Sequence, residues 1–172
     1  MQAKKLKLMR GRLVATAYEA YDEIMALSEK VRLDDNPRTG IQIYIREPGV
    51  SKRNSIFTSI YHPSEDAMSF AVEKAVRSFA LRHSSSQNSE DPEKLQFRGS
   101  LTVTIGGCTI QASCSGLFGD EDVYISSILL AQIFSCTPAL ILDEVFEAGG
   151  HLPEIFANKS SYLSHLLEKR NY

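Results

Sequence analysis

The sequence predicts an α/β chain of the α+β kind, a mainly antiparallel sheet flanked by helices, and three observations carry that expectation. Leu101-Thr102-Val103-Thr104-Ile105 and residues 108–115 both alternate in polarity and are joined by Gly106-Gly107. A Gly-Gly junction is a strong hairpin signal, because the turns that match strand twist need positive φ. Ile41-Gln42-Ile43-Tyr44-Ile45-Arg46 puts three isoleucines on one face of a half-buried strand. Stretches with helical periodicity separate and follow these strands, so the strands come as hairpins with helices between.

Along the chain, apolar residues from Leu13 through Ala17, Tyr21 and Ile24 recur at three- and four-residue steps, predicting an amphipathic helix over 13–33. Asn36-Pro37 and Gly40 end it. Residues 4–12, carrying Lys4, Lys5, Lys7, Arg10 and Arg12, read as a solvated arm rather than as an extension of that helix. The isoleucine strand and the β-branched, aromatic run 55–61 form a hairpin across a long basic loop. Ser64 is a candidate N-cap, with Glu65 and Asp66 complementing the dipole of the next helix. Met68, Ala71, Val72, Ala75, Val76, Phe79 and Ala80 form its apolar stripe. Residues 83–92 are polar and rich in breakers, predicting a mobile surface loop. In the Gly-Gly hairpin, Leu101, Val103 and Ile105 are expected to share a face with Ile110, Ala112 and Cys114. A helix apolar on most sides follows over 120–134, then a short helix over 139–148 and an amphipathic segment over 152–170 striped by Leu163, Leu166 and Leu167.

Composition narrows the function classes. A chain of 172 residues with 43% hydrophobic residues suits one domain with a full core. A net charge of -2 gives no general attraction to nucleic acid or anionic lipid, and the basic cluster near the start lacks interleaved aromatics. No window approaches the roughly 18 apolar residues of a membrane span, and the run after the basic start is too short for a signal peptide. A cytoplasmic chain is the expectation. Cys108, Cys114 and Cys136 show no zinc spacing, and reduced thiols acting as small apolar residues are expected.

Four blocks, in order, resemble the GlcG-like/HbpS-like heme-degrading domain superfamily, and within it a branch of small proteins. Ile43-Tyr44-Ile45-Arg46 is similar to that branch's I-D-I-R strand, with Tyr44 in place of the aspartate. Glu73-Lys74-Ala75-Val76-Arg77-Ser78-Phe79 followed by His83-Ser84-Ser85 resembles its lysine-bearing helix and R-F-x-H-S-S end. Gly99-Ser100-Leu101-Thr102-Val103 resembles G-G-x-F-P-I, with Arg98 where histidine is frequent. Cys114-Ser115-Gly116-Leu117 and Asp122 match V-S-G-L-x-x-x-x-D. The resemblance covers residues 13–134 and implies a profilin-like fold with about five strands, symmetric homo-oligomers, and a pocket for heme or another small ligand. It divides the chain into a basic arm (1–12), a GlcG-like/HbpS-like domain (13–135) and a helical extension (136–172).

The candidate ligand-binding residues are Lys74, His83, Ser84, Ser115, Gly116 and Asp122. Asp120, Glu121 and Asp122 fill the start of a helix, so a phosphate there would meet like charge. They either coordinate a cation, bind a ligand's hydroxyl or amine, or satisfy the helix dipole. His83 either offers an imidazole to heme iron or is a solvated loop residue. Lys74 either reaches a ligand carboxylate such as a propionate, or snorkels or pairs with an acid. Cys114 reads as structural, and no G-x-S-x-G elbow or P-loop occurs. No metal site is expected, and no catalytic residue is identified. The expectation is a homo-oligomeric small-ligand-binding domain with little or no catalysis, heme or another tetrapyrrole being the ligand that the resemblance implies. The alternative is a scaffold presenting its C-terminal helices to a protein partner.

Overall fold

The computed structural model describes residues 3–27, 38–49, 55–158 and 161–170. Their order is α1 (Ala3–Leu8), α2 (Arg10–Met25), β1 (Gly40–Arg46), β2 (Ile56–Tyr61), α3 (Glu65–Ala80), β3 (Ser100–Ile105), β4 (Cys108–Ser115), α4 (Gly119–Phe134), α5 (Pro138–Glu147) and α6 (Tyr162–Arg170). The strands form one antiparallel sheet in the order β2-β1-β4-β3. The α+β class holds, with four strands among the described residues where about five were expected. Residues expected as an N-terminal arm are helical instead, and Leu6 is buried. The anticipated helix over 13–33 starts earlier, at Arg10, and its described part ends at Met25. Residues 28–37 lie outside the described residues, as do 50–54 of the β1–β2 loop.

Both hairpins form as the alternation requires. Leu101 pairs with Ala112, Val103 with Ile110, and Ile105 with Cys108. Gly106 and Gly107 take φ of 58° and 73°, the double positive φ of a two-residue hairpin turn.

Because directly opposed residues share a face, the register divides the sheet into two unlike surfaces. One carries Ile41, Ile43, Ile45, Ile60, Leu101, Val103, Ile110, Ala112 and Cys114, all buried in one hydrophobic cluster with residues of α2, α4, α5 and α6. α4 supplies most of the cover, with Val123, Tyr124, Ile125, Leu129 and Leu130 at 0% exposure. The other surface carries Gln42, Tyr44, Arg46, Ser100, Thr102, Gln111, Ser113 and Ser115.

α3 lies on this polar surface, which overturns the expected stripe. Of the seven apolar residues anticipated to face inward, only Ala71 and Ala75 are buried, together with Lys74, Arg77 and Ser78. Met68, Val76 and Phe79 face out, between 47% and 51% exposed. The reason is the surface beneath: it offers hydrogen-bonding groups, so the helix turns its polar residues down to meet them. Arg46 Nη2 donates to Ala75 O (3.1 Å) and its Nε to Gln111 Oε1 (2.7 Å), while Gln111 Nε2 donates to Ser78 Oγ (2.9 Å).

The segment anticipated as a mobile surface loop is anchored. Ser84, Ser85 and Ser86 are buried. Ser85 bridges Leu101 on the outer edge of β3, and Thr102 N donates to Ser84 O (2.8 Å). Arg77 holds the segment from α3, donating to Ser86 O (3.0 Å), Ser89 O (2.6 Å) and Phe97 O (2.8 Å). One guanidinium thus satisfies carbonyls that no strand partner reaches.

Thr137 caps α5 by accepting from Leu140 N (3.3 Å), with Pro138 at the first helical position. The C-terminal segment expected over 152–170 is a 3-10 turn at Glu154–Phe156 and then α6, whose Leu163, Leu166 and Leu167 are buried as expected. α5 and α6 share the main hydrophobic cluster. No single helix among the described residues is long and apolar enough to cross a membrane; α4 and α5 pass jointly by length and composition, but bend by 103°.

Candidate functional site

A cavity of about 620 Å³ opens between α3, Phe97-Arg98 and the β4–α4 turn. Lys74, Ser115, Gly116 and Asp122 all line it, so four of the six candidate residues come together. His83 and Ser84 are not in its lining. Ser84 Oγ instead donates to Val145 O (3.1 Å), pinning the end of α5. His83 is half-buried, with its backbone N–H on Ser78 O (2.8 Å) and its Nδ1 buried without a hydrogen-bond partner among the described residues.

Each acid at the start of α4 has its own partner. Asp122 Oδ2 receives Lys74 Nζ at 2.8 Å, both side chains 2% exposed. Lys74 Nζ also donates to Cys114 O (3.0 Å), and Asp122 Oδ1 accepts from Leu117 N (3.2 Å). Lys74 therefore closes a buried ion pair. Asp120 Oδ1 accepts from Arg98 Nη1 (2.8 Å), and Arg98 also grips Glu90 through Nη2 (2.6 Å). Glu121 accepts from Phe118 N (3.2 Å), satisfying an amide that precedes the helix, and from Tyr162 Oη (3.1 Å).

Two glycines permit this packing. A Cβ on Gly99, at φ +129°, would lie 2.8 Å from Asp122 Cβ and from Cys114 O and 2.9 Å from Lys74 Nζ. A Cβ on Gly116, at φ +130°, would strike Gly40 O at 2.5 Å. The turn therefore sits against the start of β1 and the ion pair against bare backbone.

Burial pushes the Asp122 carboxyl upward, while the Lys74 charge and the Leu117 amide pull it back. Burial raises Asp120 in the same way against Arg98. The Cys114 thiol, 0% exposed, is driven well above its ordinary value by burial and by the Asp122 charge, so it supplies no thiolate nucleophile. Among the described residues, no group of three His, Cys, Asp or Glu side chains is placed to hold a metal ion.

Sequence reasoning missed the aromatic part of the wall. Phe70 and Phe97 meet edge to face with centroids 5.4 Å apart, and Phe118, 48% exposed, stands at the turn. Arg38, Glu90 and Arg98 complete the charged part. The available signal was Phe97-Arg98 immediately before Gly99: an aromatic and a cation flanking a glycine that lets backbone approach closely.

Iron ligation does not fit this lining: among the described residues it contains no His, Cys, Met or Tyr, and the Lys74 amine is held by Asp122.

No family model matches the chain, and no curated protein matches it. Among solved structures it is similar to the crystal structure of Klebsiella pneumoniae protein ORFY, of the DUF336 family. The two are 15% identical, with 78% of this chain and 90% of that one covered, and the TM-score is 0.46. DUF336 is the GlcG-like family that the four sequence blocks resemble, and a likeness of this size bears on neither the activity nor the ligand of this chain.

Proposed function

We propose that this chain is a small-ligand-binding domain, with little or no catalysis, whose ligand occupies the cavity between α3 and the β4–α4 turn. The observation that carries the reading is the lining: three phenylalanines beside paired charges, in about 620 Å³, a volume ordinary for small-molecule sites. Arg38, Lys74 and Arg98 stand against Glu90, Asp120 and Asp122, so the charges nearly balance. Such a wall selects by shape and stacking more than by net charge.

A flat, tetrapyrrole-sized molecule suits this wall without iron ligation. The test is a titration of the full chain with hemin and with metal-free protoporphyrin IX, followed by absorbance and porphyrin fluorescence. Equal affinities for the two, both weakened about tenfold by Phe97→Ala, are expected from the loss of one ring's stacking. No spectral change with either porphyrin at roughly 50 µM would overturn the tetrapyrrole reading. So would a hemin-only shift that His83→Ala abolishes, since that places iron outside the cavity.

A second reading, a scaffold formed by copies of this chain and displaying its C-terminal helices, is favoured by one observation. Phe146 is 71% exposed beside a groove of about 500 Å³ between α5 and α6, lined by Leu142, Leu152, Phe156 and Leu167. Truncation is a poor test, because Ile141, Val145 and Leu163 are fully buried and their removal opens the core. Phe146→Ser is the cleaner variant: an assembly that it dissolves while porphyrin binding persists supports this reading.

A further inference from the structure

The charges of this chain are unevenly placed. Residues 99–158 carry seven acids and no lysine or arginine, although the whole chain is nearly balanced at -2. Three of the seven, Asp120, Glu121 and Asp122, have the partners described above. The other four, Asp143, Glu144, Glu147 and Glu154, all lie on α5 and the 3-10 turn that follows it.

That acidic stretch frames the groove of about 500 Å³ between α5 and α6. Its lining is apolar along Leu142 of α5, Leu152 and Phe156 of the linking segment and Leu167 of α6, with Phe146 standing 71% exposed beside them. Each bounding element also adds one exposed carboxylate: Asp143 from α5, Glu154 from the 3-10 turn and Glu168 from α6. Among the described residues the lining holds no lysine or arginine. Of the three acids only Glu168 has an ion-pair partner among the described residues, His165 Nδ1 at 3.8 Å, with both side chains exposed. The groove is also held in shape. Ser161 Oγ donates to Ile155 O (2.6 Å) and Ser164 Oγ to Phe156 O (3.2 Å), fastening the turn to the start of α6. A wall fixed in advance loses little freedom when a partner docks.

We propose that this groove docks an amphipathic helix of another protein, one whose leucine-rich side is flanked by lysine and arginine. Two helices and a turn leave a trough into which a third helix lays an apolar stripe spaced i, i+3, i+4, i+7. The carboxylates around the trough set the charge of the occupant, meeting a basic flank favourably and repelling an acidic one. They oppose an anionic lipid surface for the same reason. A second copy does not supply such a helix: this chain's basic cluster lies on α1 and the start of α2, whose Leu6 and Leu13 are buried in its own core. The inference rests on the scaffold reading in that the C-terminal helices are what is displayed, but it does not require copies of the chain to assemble.

The experiment is fluorescence anisotropy of a fluorescein-labelled peptide titrated with the full chain near neutral pH and at low salt. The peptide has about 18 residues, leucine at the helical spacings above and lysine elsewhere. A dissociation constant of about 10 µM is expected. The counterpart with glutamate for lysine, and a scrambled peptide whose leucines share no helix face, should each bind at least about tenfold more weakly. Phe146→Ser should weaken the lysine peptide about tenfold. Asp143→Lys/Glu168→Lys should weaken it by about as much and strengthen the glutamate peptide instead. All three side chains are exposed, so unchanged thermal unfolding is the control for folding. No anisotropy change at roughly 200 µM chain overturns the proposal. So does equal binding of the lysine, glutamate and scrambled peptides, or binding that Phe146→Ser leaves unmoved. Light scattering of the chain alone reads assembly separately. Self-assembly that Phe146→Ser dissolves, with no peptide bound, puts a second copy in the groove; it overturns this proposal and leaves the scaffold reading standing. Charge-selective peptide binding by a chain that stays monomeric does the reverse.

Discussion

Replacing Lys74 by methionine leaves the Asp122 carboxylate buried, and the cost follows from the geometry. At 2.8 Å and an effective dielectric of about 20, the attraction removed is about 6 kcal/mol. Part of it is offset because the lysine no longer has to be desolvated. Breaking one side of a buried pair costs about 3–5 kcal/mol in total, and Cys114 O loses its donor as well. The cost is expected to depend on pH in a definite sense. Burial already raises the Asp122 carboxyl, and losing the ammonium raises it further. A carboxyl whose folded-state pKa exceeds its unfolded value takes up its proton first in the folded chain. The penalty is therefore full at neutral pH and shrinks as pH falls through that folded-state pKa. Asp122→Asn added to Lys74→Met removes the stranded charge and keeps an oxygen for the Leu117 amide, so the double variant should be more stable than Lys74→Met alone. Urea unfolding followed by far-UV circular dichroism at about pH 7 and about pH 5 measures all three terms. A Lys74→Met cost below about 1 kcal/mol, or an equal cost at both pH values, would refute the reasoning.

Three other expectations come from the same structure. Gly99→Ala places a methyl against Asp122, Cys114 O and Lys74 at a positive φ, and should cost about 3 kcal/mol in the same unfolding assay. Arg77→Ala leaves the carbonyls of Ser86, Ser89 and Phe97 without their cation; about 3 kcal/mol and selective proteolytic cleavage within residues 84–97 are expected. In the native protein a thiol reagent should modify Cys136, which is half-exposed, while Cys108 and Cys114 react only on unfolding.

Much of the fold was legible because strand alternation reports burial on one side directly. The isoleucines of β1 and the partners across Gly106-Gly107 appeared on the face where they were expected. The same alternation also held the information that was misread for α3. Gln111, Ser113 and Ser115 alternate with Ile110, Ala112 and Cys114, so β4 has a polar side, and a helix laid on that side must bury polar groups. Lys74, Arg77 and Ser78 supply them. Reading α3 by hydropathy alone assigns its inward face to the wrong residues. Residues 83–92 were misjudged for a related reason: their composition suits solvent, but Arg77 on the preceding helix reaches over to supply the partners that order them. The site was half legible. The turn at Ser115–Asp122 and Lys74 converge on one cavity, but the aromatic wall comes from two separate segments that no local pattern connects. His83 sits close to Lys74 along the chain, yet the helix ends between them and carries it away from the cavity.

The sheet with unlike sides divides the molecule mechanically. On one side, α2, α4, α5 and α6 are held by a shared apolar interior, which resists separation through the water it would expose. On the other, α3 is held by a small number of directional bonds to Arg46, Gln111, Cys114 O and Asp122. Water can replace such bonds one at a time, so α3 is the layer that lifts at least cost, leaving the other helices docked. The cavity lies at that seam. Under the proposed ligand-binding reading, entry and exit require only a local opening, and amide exchange in α3 should run ahead of that in α4.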